Sequence, residues 1–305
     1  MVTYRQKMEL MKRFLLPLVA VLALPVAAIE QPLLFGRESN ITDTAEMLTT
    51  PEIAEVKNAE FYYKQGYKKS KSGNHQGAIE DFNKAVELNP NYGEAYYNRG
   101  VSKARLVNYL EAEADFSKAI ELNPKFFQAY YNRGTMKEKI GNYQGAIPDF
   151  SKAIELNPKL FQAYYNRGVS KLRLVNYLEA EADFSKAIEL NPNFFQAYYN
   201  RGVARYNLGN YRGAIVDSNK ALSINPDSEE AYLNRGNAKD TLGNYRGAIA
   251  DYNKALKINP DSEEAYSNRG IAKENLGDMK GACADWRKAS SVGDKNAASW
   301  VENQC

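Results

Sequence analysis

Six asparagines recur along the chain at a constant step of 34 residues: Asn98, Asn132, Asn166, Asn200, Asn234 and Asn268. A carboxamide can donate and accept hydrogen bonds at once, so it matches both the N–H and the C=O groups of an extended peptide backbone. A regular row of such groups therefore predicts a ladder that binds a peptide segment of another protein.

Residue types suited to catalysis are scarce in this chain. His75 is the single histidine, and the two cysteines, Cys283 and Cys305, both lie near the C-terminus. These residues offer no zinc-ligand spacing, no cysteine–histidine pair and no serine–histidine triad. The carboxylates recur with the same period as the asparagines, and such recurrence is typical of solvated helix faces. The glycines recur with this period as well, so they do not form a phosphate-binding loop. The sequence predicts a protein that is not an enzyme and has no metal or cofactor.

The charge balance argues against nucleic acid as a partner. The chain has 40 lysines and arginines against 37 aspartates and glutamates, a net charge of +3. No basic stripe able to displace counterions from phosphates is present. The predicted partner is therefore a protein or peptide segment.

The asparagines belong to a 34-residue unit that occurs seven times, with its reference glycine at Gly66, Gly100, Gly134, Gly168, Gly202, Gly236 and Gly270. In the third unit, a first helix ends at Gly141, a residue type that accepts positive φ. A second helix begins after Asn142, has an apolar face and ends before Pro158. Neither helix can bury its apolar stripe alone, so the units are predicted to stack into a solenoid.

Within each unit an alanine follows the glycine by twelve residues, a second alanine follows by nineteen, and a proline closes the first six units. Together with the period, these residues resemble tetratricopeptide repeats over about residues 59–296. The resemblance implies an all-α, right-handed α-solenoid with repeats that start near residues 59, 93, 127, 161, 195, 229 and 263. The phrase NPxxxxAYYNRG is similar to arrays frequent in cyanobacteria.

The resemblance also implies a non-catalytic scaffold or adaptor with a concave groove. Of the two adjacent tyrosines in AYYNRG, the family places the first in the core, at Tyr96, Tyr130, Tyr164, Tyr198, Tyr232 and Tyr266. The next residue would then face the groove, at Tyr63, Tyr97, Tyr131, Tyr165 and Tyr199. A similar asparagine ladder lines the repeats of the O-linked N-acetylglucosamine transferases. The alternative is that asparagine stands here because it is common at this position in the family.

The predicted groove changes in character along the array. Aromatic residues occur at the early repeat junctions, whereas Glu230 and Glu264 lie beside the groove in repeats six and seven, with Asp240 and Glu274 further along. This pattern favours a partner with apolar side chains toward the N-terminal repeats and a basic end toward the last two. The lysine three residues after most of the reference glycines is interpreted as a solvated rim.

Residues 1–28 have the pattern of a secretory signal peptide. A short basic segment precedes the apolar stretch FLLPLVAVLALPVAA, which is too short and too interrupted by proline for a typical membrane span. The alternative is an uncleaved anchor. Residues 29–50 are interpreted as a linker and residues 51–305 as the solenoid. The signal predicts export to a periplasm or cell envelope, with a thylakoid lumen and the outer-membrane periphery as further options.

The C-terminus departs from the repeat. Residues 294–305 are predicted to form a capping helix that covers the seventh repeat. If this helix folds back, Cys283 and Cys305 lie at matching heights, which predicts a disulfide; the alternative is two unpaired thiols.

For the whole chain, the alternative to an adaptor is a self-associating or membrane-peripheral assembly factor of the envelope, and a third option is an accessory subunit of an envelope enzyme.

Overall fold

The computed structural model describes residues 58–305. The predicted signal peptide at 1–28, the linker at 29–50 and the first residues assigned to the solenoid, 51–57, lie outside the described residues.

Every regular element of residues 58–305 is an α-helix, and the helices occur in pairs. The first helices of the seven pairs are α1 (Ala59–Lys71), α3 (Gly93–Arg105), α5 (Phe127–Lys139), α7 (Phe161–Arg173), α9 (Phe195–Asn207), α11 (Glu229–Thr241) and α13 (Glu263–Asn275). The second helices are α2 (His75–Leu88), α4 (Tyr109–Leu122), α6 (Tyr143–Leu156), α8 (Tyr177–Leu190), α10 (Tyr211–Ile224), α12 (Tyr245–Ile258) and α14 (Met279–Val292). A last helix, α15 (Lys295–Gln304), follows them. The predicted all-α solenoid of helical pairs is confirmed.

The described chain falls into two compact units. Residues 58–170 belong to the N-terminal unit and residues 171–305 to the C-terminal unit. Within each unit a helix contacts the helices next to it in the chain, and successive first helices also touch, as α9 and α11 do. Stability is therefore built from contacts between neighbours, as expected for a repeat protein.

In most repeats the recurring glycine of the first helix lets that helix approach an aromatic ring of the second. A Cβ atom on Gly100 would lie 2.9 Å from the Phe116 ring, and one on Gly236 would lie 2.6 Å from Tyr252. The alanines twelve and nineteen residues after the glycine are fully buried. Small residues at these three positions thus fix how closely the two helices pack.

The turn between paired helices has two forms. In five repeats it contains a glycine with φ of about 80°, such as Gly141, whereas the second and fourth repeats have Val107 and Val175 there, both at φ 66°. Left-handed backbone is unfavourable for a side chain branched at Cβ. The same two repeats lack the side-chain cap of the second helix: Asn142 accepts from the Gly145 N–H, but Asn108 makes no such bond.

The C-terminal helix α15 packs on the seventh repeat. The Asp294 carboxylate accepts hydrogen bonds from the backbone N–H groups of Asn296 and Ala297 and so caps the helix. Ala297 is fully buried, and the Trp286 and Trp300 rings lie 5.6 Å apart. Cys283 and Cys305 form a disulfide whose Cα atoms are 5.6 Å apart. The helix thus covers the apolar end of the array.

Candidate functional site

The tyrosines predicted to face the groove lie in the core instead. Tyr97, Tyr165 and Tyr199 are buried, and Tyr63 and Tyr131 are largely so. The Tyr97 ring packs on Phe116 of its own repeat and on Phe126 of the next junction. Burial raises the pKa of Tyr97, Tyr131 and Tyr199 well above the usual value of 10.0. The prediction for this row is wrong because the second helix and the next repeat together enclose it.

The first tyrosine of each pair, predicted to be core, is partly exposed in every repeat except at Tyr198. An arginine three residues later lies over its ring, with the guanidinium carbon 5.2 Å from the Tyr96 ring centre and 5.7 Å from that of Tyr130. Such cation–π contacts stabilise the position of the ring. The first tyrosines still pack against the core clusters, at Tyr96, Tyr130, Tyr232 and Tyr266. Both tyrosines of a pair therefore pack inward, and the second is the more deeply buried.

The asparagines of the predicted ladder also form contacts within the chain. Asn132, Asn166, Asn200 and Asn234 are buried. In the N-terminal unit the side-chain amide of each asparagine donates to a tyrosine of the preceding repeat, with distances of 3.0 Å for Asn98 to Tyr63 and 3.0 Å for Asn132 to Tyr97. Asn166 donates to Tyr131 in the same way. These carboxamides link neighbouring repeats, so the prediction of an exposed peptide-binding ladder does not hold.

The C-terminal unit uses its asparagines differently. Asn234 donates to Ser218, a fully buried serine that stands where most repeats have an aromatic ring. A Cβ atom on Gly202 would lie 2.9 Å from the Asn234 amide nitrogen, which therefore occupies the space of the missing ring. Asn268 donates to Asn237 at 3.0 Å.

A buried ionic triplet that the sequence interpretation missed occurs in repeats two, three, five, six and seven. An aspartate of the second helix is 1–7% exposed in all seven repeats, at Asp81, Asp115, Asp149, Asp183, Asp217, Asp251 and Asp285. Asp149 accepts from Arg133 at 2.5 Å and from Lys137 at 2.8 Å, and repeats two, five, six and seven have the same arrangement. In the first and fourth repeats, Asp81 pairs with Lys69 and Asp183 with Lys171. The repeating aspartates interpreted as solvated are therefore buried, and the lysines predicted to form a solvated rim are their partly buried partners. The signal available was the joint recurrence of arginine and aspartate 16 residues apart.

One polar pocket lies on the first-helix surface of the C-terminal unit. We call it the acidic pocket; its lining residues are Tyr206, Asn237, Asp240, Thr241, Tyr252, Asn268 and Ile271. These residues come from α9, α11, α12 and α13. Tyr252 donates to the Asn237 side-chain oxygen at 2.8 Å, and the Tyr206 and Thr241 hydroxyls lie 3.2 Å apart. The pocket is thus a built polar network rather than a gap between side chains.

Asp240 is the one carboxyl group among the residues that line the acidic pocket, and it forms no ion pair within residues 58–305. Its Oδ1 atom is shielded from solvent and accepts no hydrogen bond. Burial raises the pKa of Asp240 to about 6. Its carboxylate also contributes to raising the pKa of Tyr252, for which burial is the larger cause.

The two glutamates predicted to lie beside the groove are on the same surface. Glu264 is largely buried and accepts a long hydrogen bond, 3.4 Å, from the Asn237 amide. Burial is the main cause that raises the pKa of Glu264, and the charges of Glu229 and Glu263 raise it further. Glu230 accepts from the Ser228 hydroxyl at 2.9 Å. Both raise the pKa of the neighbouring Tyr199, which places them beside the same first helix α9.

Residues 58–305 show no cluster of three or more histidine, cysteine or acidic side chains able to hold a metal ion. In this part of the chain no helix combines the length and the apolar character needed to cross a membrane. Burial of the imidazole lowers the pKa of His75, and the positive charge of Arg105 lowers it further.

Comparison with known proteins identifies the repeat. Sequence models described as TPR repeat match residues 66–107 and 241–277, and those described as tetratricopeptide repeat match residues 93–126, 127–160, 161–194 and 195–228. An uncharacterised protein of Methanocaldococcus jannaschii is 50% identical over 40 residues, which is 13% of this chain and 46% of that protein. The match thus spans about half the length of that relative.

Solved structures share the fold. A tetratricopeptide repeat protein from Parabacteroides merdae is 24% identical, with 80% of this chain and 97% of that chain covered and a TM-score of 0.58. The C-terminal part of a TPR repeat-containing protein from Cytophaga hutchinsonii is 21% identical, with coverage of 78% and 98% and a TM-score of 0.64. YrrB, described as a TPR protein with an unusual peptide-binding site, is 23% identical, with coverage of 61% and 97% and a TM-score of 0.54.

These repeats indicate a protein-interaction scaffold, a class of fold that is typically non-catalytic and presents surfaces to protein or peptide partners. The family sequence models cover more than half of the residues, and the structure repeats the helical pair seven times. The chain belongs to the tetratricopeptide repeat family.

Proposed function

We propose that the chain is an adaptor that binds an extended segment of a partner protein along its first helices. The observation that carries this proposal is the first-helix surface of the C-terminal unit, where Glu230, Asp240 and Glu264 form no ion pair within residues 58–305. The aspartates of the ionic triplets, by contrast, each have at least one cation. Carboxylates left without a cation on one surface favour a basic segment of the partner.

Recognition in this proposal depends on carboxylates rather than on the carboxamide row. The asparagines already bond within the chain, so they support the surface instead of contacting the ligand. YrrB has a similar fold and an unusual peptide-binding site by its description, which is consistent with a surface that departs from the asparagine-ladder pattern.

The test is a crosslinked capture from the envelope fraction of the host, with residues 29–305 as bait. The test variant is Glu230→Gln with Glu264→Gln. The matched control is Asp227→Asn with Asp261→Asn, because it removes the same charge from exposed positions of the same two junctions. Circular dichroism establishes that all three baits are equally helical.

A defined protein captured by the unchanged bait and the control, and lost with the glutamine variant, supports the adaptor. The captured segment is then synthesised, and its affinity for the glutamine variant should fall by about tenfold, the value expected for loss of charge-assisted contacts. Equal capture by all three baits would show that this surface is not the binding site.

A second candidate function, self-association as an assembly element, is favoured by exposed apolar side chains at the turns. Val107 is 64% exposed and Leu110 is 69% exposed, and Val175 and Leu178 repeat the feature. Small-angle scattering over a range of concentrations tests it. If the molecular size rises with concentration and Leu110→Ser with Leu178→Ser abolishes the rise, the chain assembles through these turns.

The same proposal includes export of the chain to the periplasm or cell envelope. It also includes peripheral contact with a membrane. Residues 1–28 support it by their basic start and apolar centre. Fractionation with determination of the mature N-terminus tests it, and a chain found intact in the cytoplasm would contradict it.

A further inference from the structure

The acidic pocket of the C-terminal unit has the size and the hydrogen-bonding character of a site for one small cation. It encloses about 10 Å³, close to the room needed by a single water molecule. Its walls come from three successive first helices, α9, α11 and α13, and from Tyr252 of α12. A partner segment lying along those helices would pass directly over it.

The hydroxyl protons around the pocket are already used within the chain. Thr241 donates to the backbone oxygen of Asn237 at 2.9 Å, so the 3.2 Å contact between the two hydroxyls is donated by Tyr206 to Thr241. Tyr252 donates to the Asn237 side chain. The Tyr206 oxygen and the Asp240 carboxylate therefore remain as acceptors, and such a pocket suits a ligand that only donates.

Asp240 differs from the other deeply placed aspartates of residues 58–305. The seven aspartates of the second helices accept ion pairs from lysine or arginine. The Oδ1 atom of Asp240 is equally shielded from water but has no partner. A carboxylate oxygen without a hydrogen bond in such a place is costly, and a cation supplied from outside would remove that cost.

We infer that the acidic pocket binds the ammonium group of a lysine side chain from the partner segment, with Asp240 as its counter-charge and the Tyr206 oxygen as a second acceptor. An ammonium is compact, close to water in size, and carries three donors, whereas the planar guanidinium of arginine needs more room. This inference rests on the proposed function only for the source of the lysine. It narrows the basic partner to one with a lysine that reaches α11.

The experiment uses a probe that does not depend on the identity of the partner. Nα-acetyl-lysine methylamide is titrated into ¹⁵N-labelled protein of residues 29–305, and the amide signals of Asp240, Thr241 and Ile271 are followed. The neutral analogue acetylated on Nζ and the arginine counterpart are titrated in the same way. Asp240→Asn is the test variant, and Asp227→Asn, an exposed aspartate outside the pocket, is the matched control.

The expected result is saturable binding of the lysine probe with a dissociation constant in the millimolar range. The affinity should fall by about tenfold for the neutral analogue and for Asp240→Asn, and should stay unchanged in Asp227→Asn. Absence of saturable shifts, or equal shifts in Asp240→Asn, would overturn the inference. Binding of the arginine probe as tightly as the lysine probe would overturn the assignment to ammonium.

This outcome is separable from that of the proposed function. If a partner is captured through Glu230 and Glu264 but the lysine probe fails to bind, the adaptor stands and the pocket is excluded. If the probe binds at Asp240 but no partner is captured, the pocket stands without the adaptor.

Discussion

Two valines in left-handed backbone are the clearest local departures from the repeat. Val107 and Val175 have φ 66° where five other repeats have a glycine near 80°. A left-handed conformation costs an ordinary residue roughly 1–2 kcal/mol, and a side chain branched at Cβ is still less suited to it. Both side chains are largely exposed, so little burial of apolar surface offsets this strain.

We predict that Val107→Gly stabilises the N-terminal unit by about 0.5–1 kcal/mol, since relief of backbone strain outweighs the greater freedom of glycine in the unfolded chain. Urea unfolding followed by circular dichroism measures the change. The reverse substitution is the matched control. Gly141→Val enters open space, with no atom within 4 Å of the new Cβ, so its cost of about 1 kcal/mol or more would be strain alone. A loss of stability in Val107→Gly would contradict the account.

Asp240 also acts against folding when it carries its charge. Its pKa is raised from 3.8 to about 6 by burial, so the folded state binds the proton more tightly than the unfolded state. Ionisation is therefore unfavourable to the folded state at neutral pH, and this penalty disappears as the pH falls through about 6 toward 4. The titratable groups near Asp240 are Glu264 and the tyrosines Tyr206 and Tyr252, none of which supplies a cation.

We predict that Asp240→Asn raises the unfolding free energy by about 1–2 kcal/mol near pH 7.5, because the neutral amide removes the buried charge. The gain should shrink as the pH is lowered and be absent near pH 4. Urea unfolding across this pH range measures it, with Asp227→Asn as the control. A gain that does not vary with pH would show that the charge of Asp240 is not its cause.

At the scale of the helices, the buried ionic triplet ties each pair together. Arginine and lysine come from the first helix, and the aspartate that joins them comes from the second. Because both helices contribute charge, neither can be moved without leaving buried groups unpaired. The triplet thus fixes the register of the pair as well as its spacing.

We predict that Asp149→Asn destabilises the N-terminal unit by about 2–4 kcal/mol, since it leaves Arg133 and Lys137 without their common counter-charge. The control lies in the same helix. Glu155→Gln removes an exposed ion pair with Lys152; the Glu155 side chain is 66% exposed. This change should cost less than about 1 kcal/mol. Chemical unfolding of both variants gives the comparison, and equal effects would argue against a structural role for the buried pair.

At the scale of the whole chain, the 34-residue period was enough to predict the seven helical pairs, and the departure from it at the C-terminus predicted the last helix. It was not enough to orient the tyrosines, because adjacent residues on a helix differ by 100° and only the packed neighbours decide which one is enclosed. Asn132 and Arg133 show the same limit: their partners, Tyr97 and Asp149, lie in another repeat or in another helix. Contacts between helices were therefore the part that could not be derived from one helix at a time.

The end of the array depends on α15, which the Cys283–Cys305 disulfide holds to α14. The bond closes a loop of 22 residues, and the chain-entropy estimate gives it about 3 kcal/mol. The chain has only two tryptophans, Trp286 and Trp300, and both lie at this junction. Their fluorescence therefore reports on the cap and not on the remaining repeats.

We predict that reduction of the disulfide shifts the tryptophan transition to lower urea concentration while the circular dichroism transition moves much less, because unfolding then begins at the released cap. Cys283→Ser with Cys305→Ser should reproduce the reduced protein without any reductant. If both signals stay coincident and unshifted, the bond does not stabilise the end of the array.

The strained valines have a consequence for the history of the gene. Val107 and Val175 lie two periods apart, in segments 95–128 and 163–196 that differ only at Ala104 against Leu172 and Lys125 against Asn193. An unfavourable valine is far more easily copied once with its surroundings than selected twice, so the glycine was lost before the segment was duplicated. Unequal recombination between the two copies would remove or add two whole repeats in frame, and the phase of the helices would be kept.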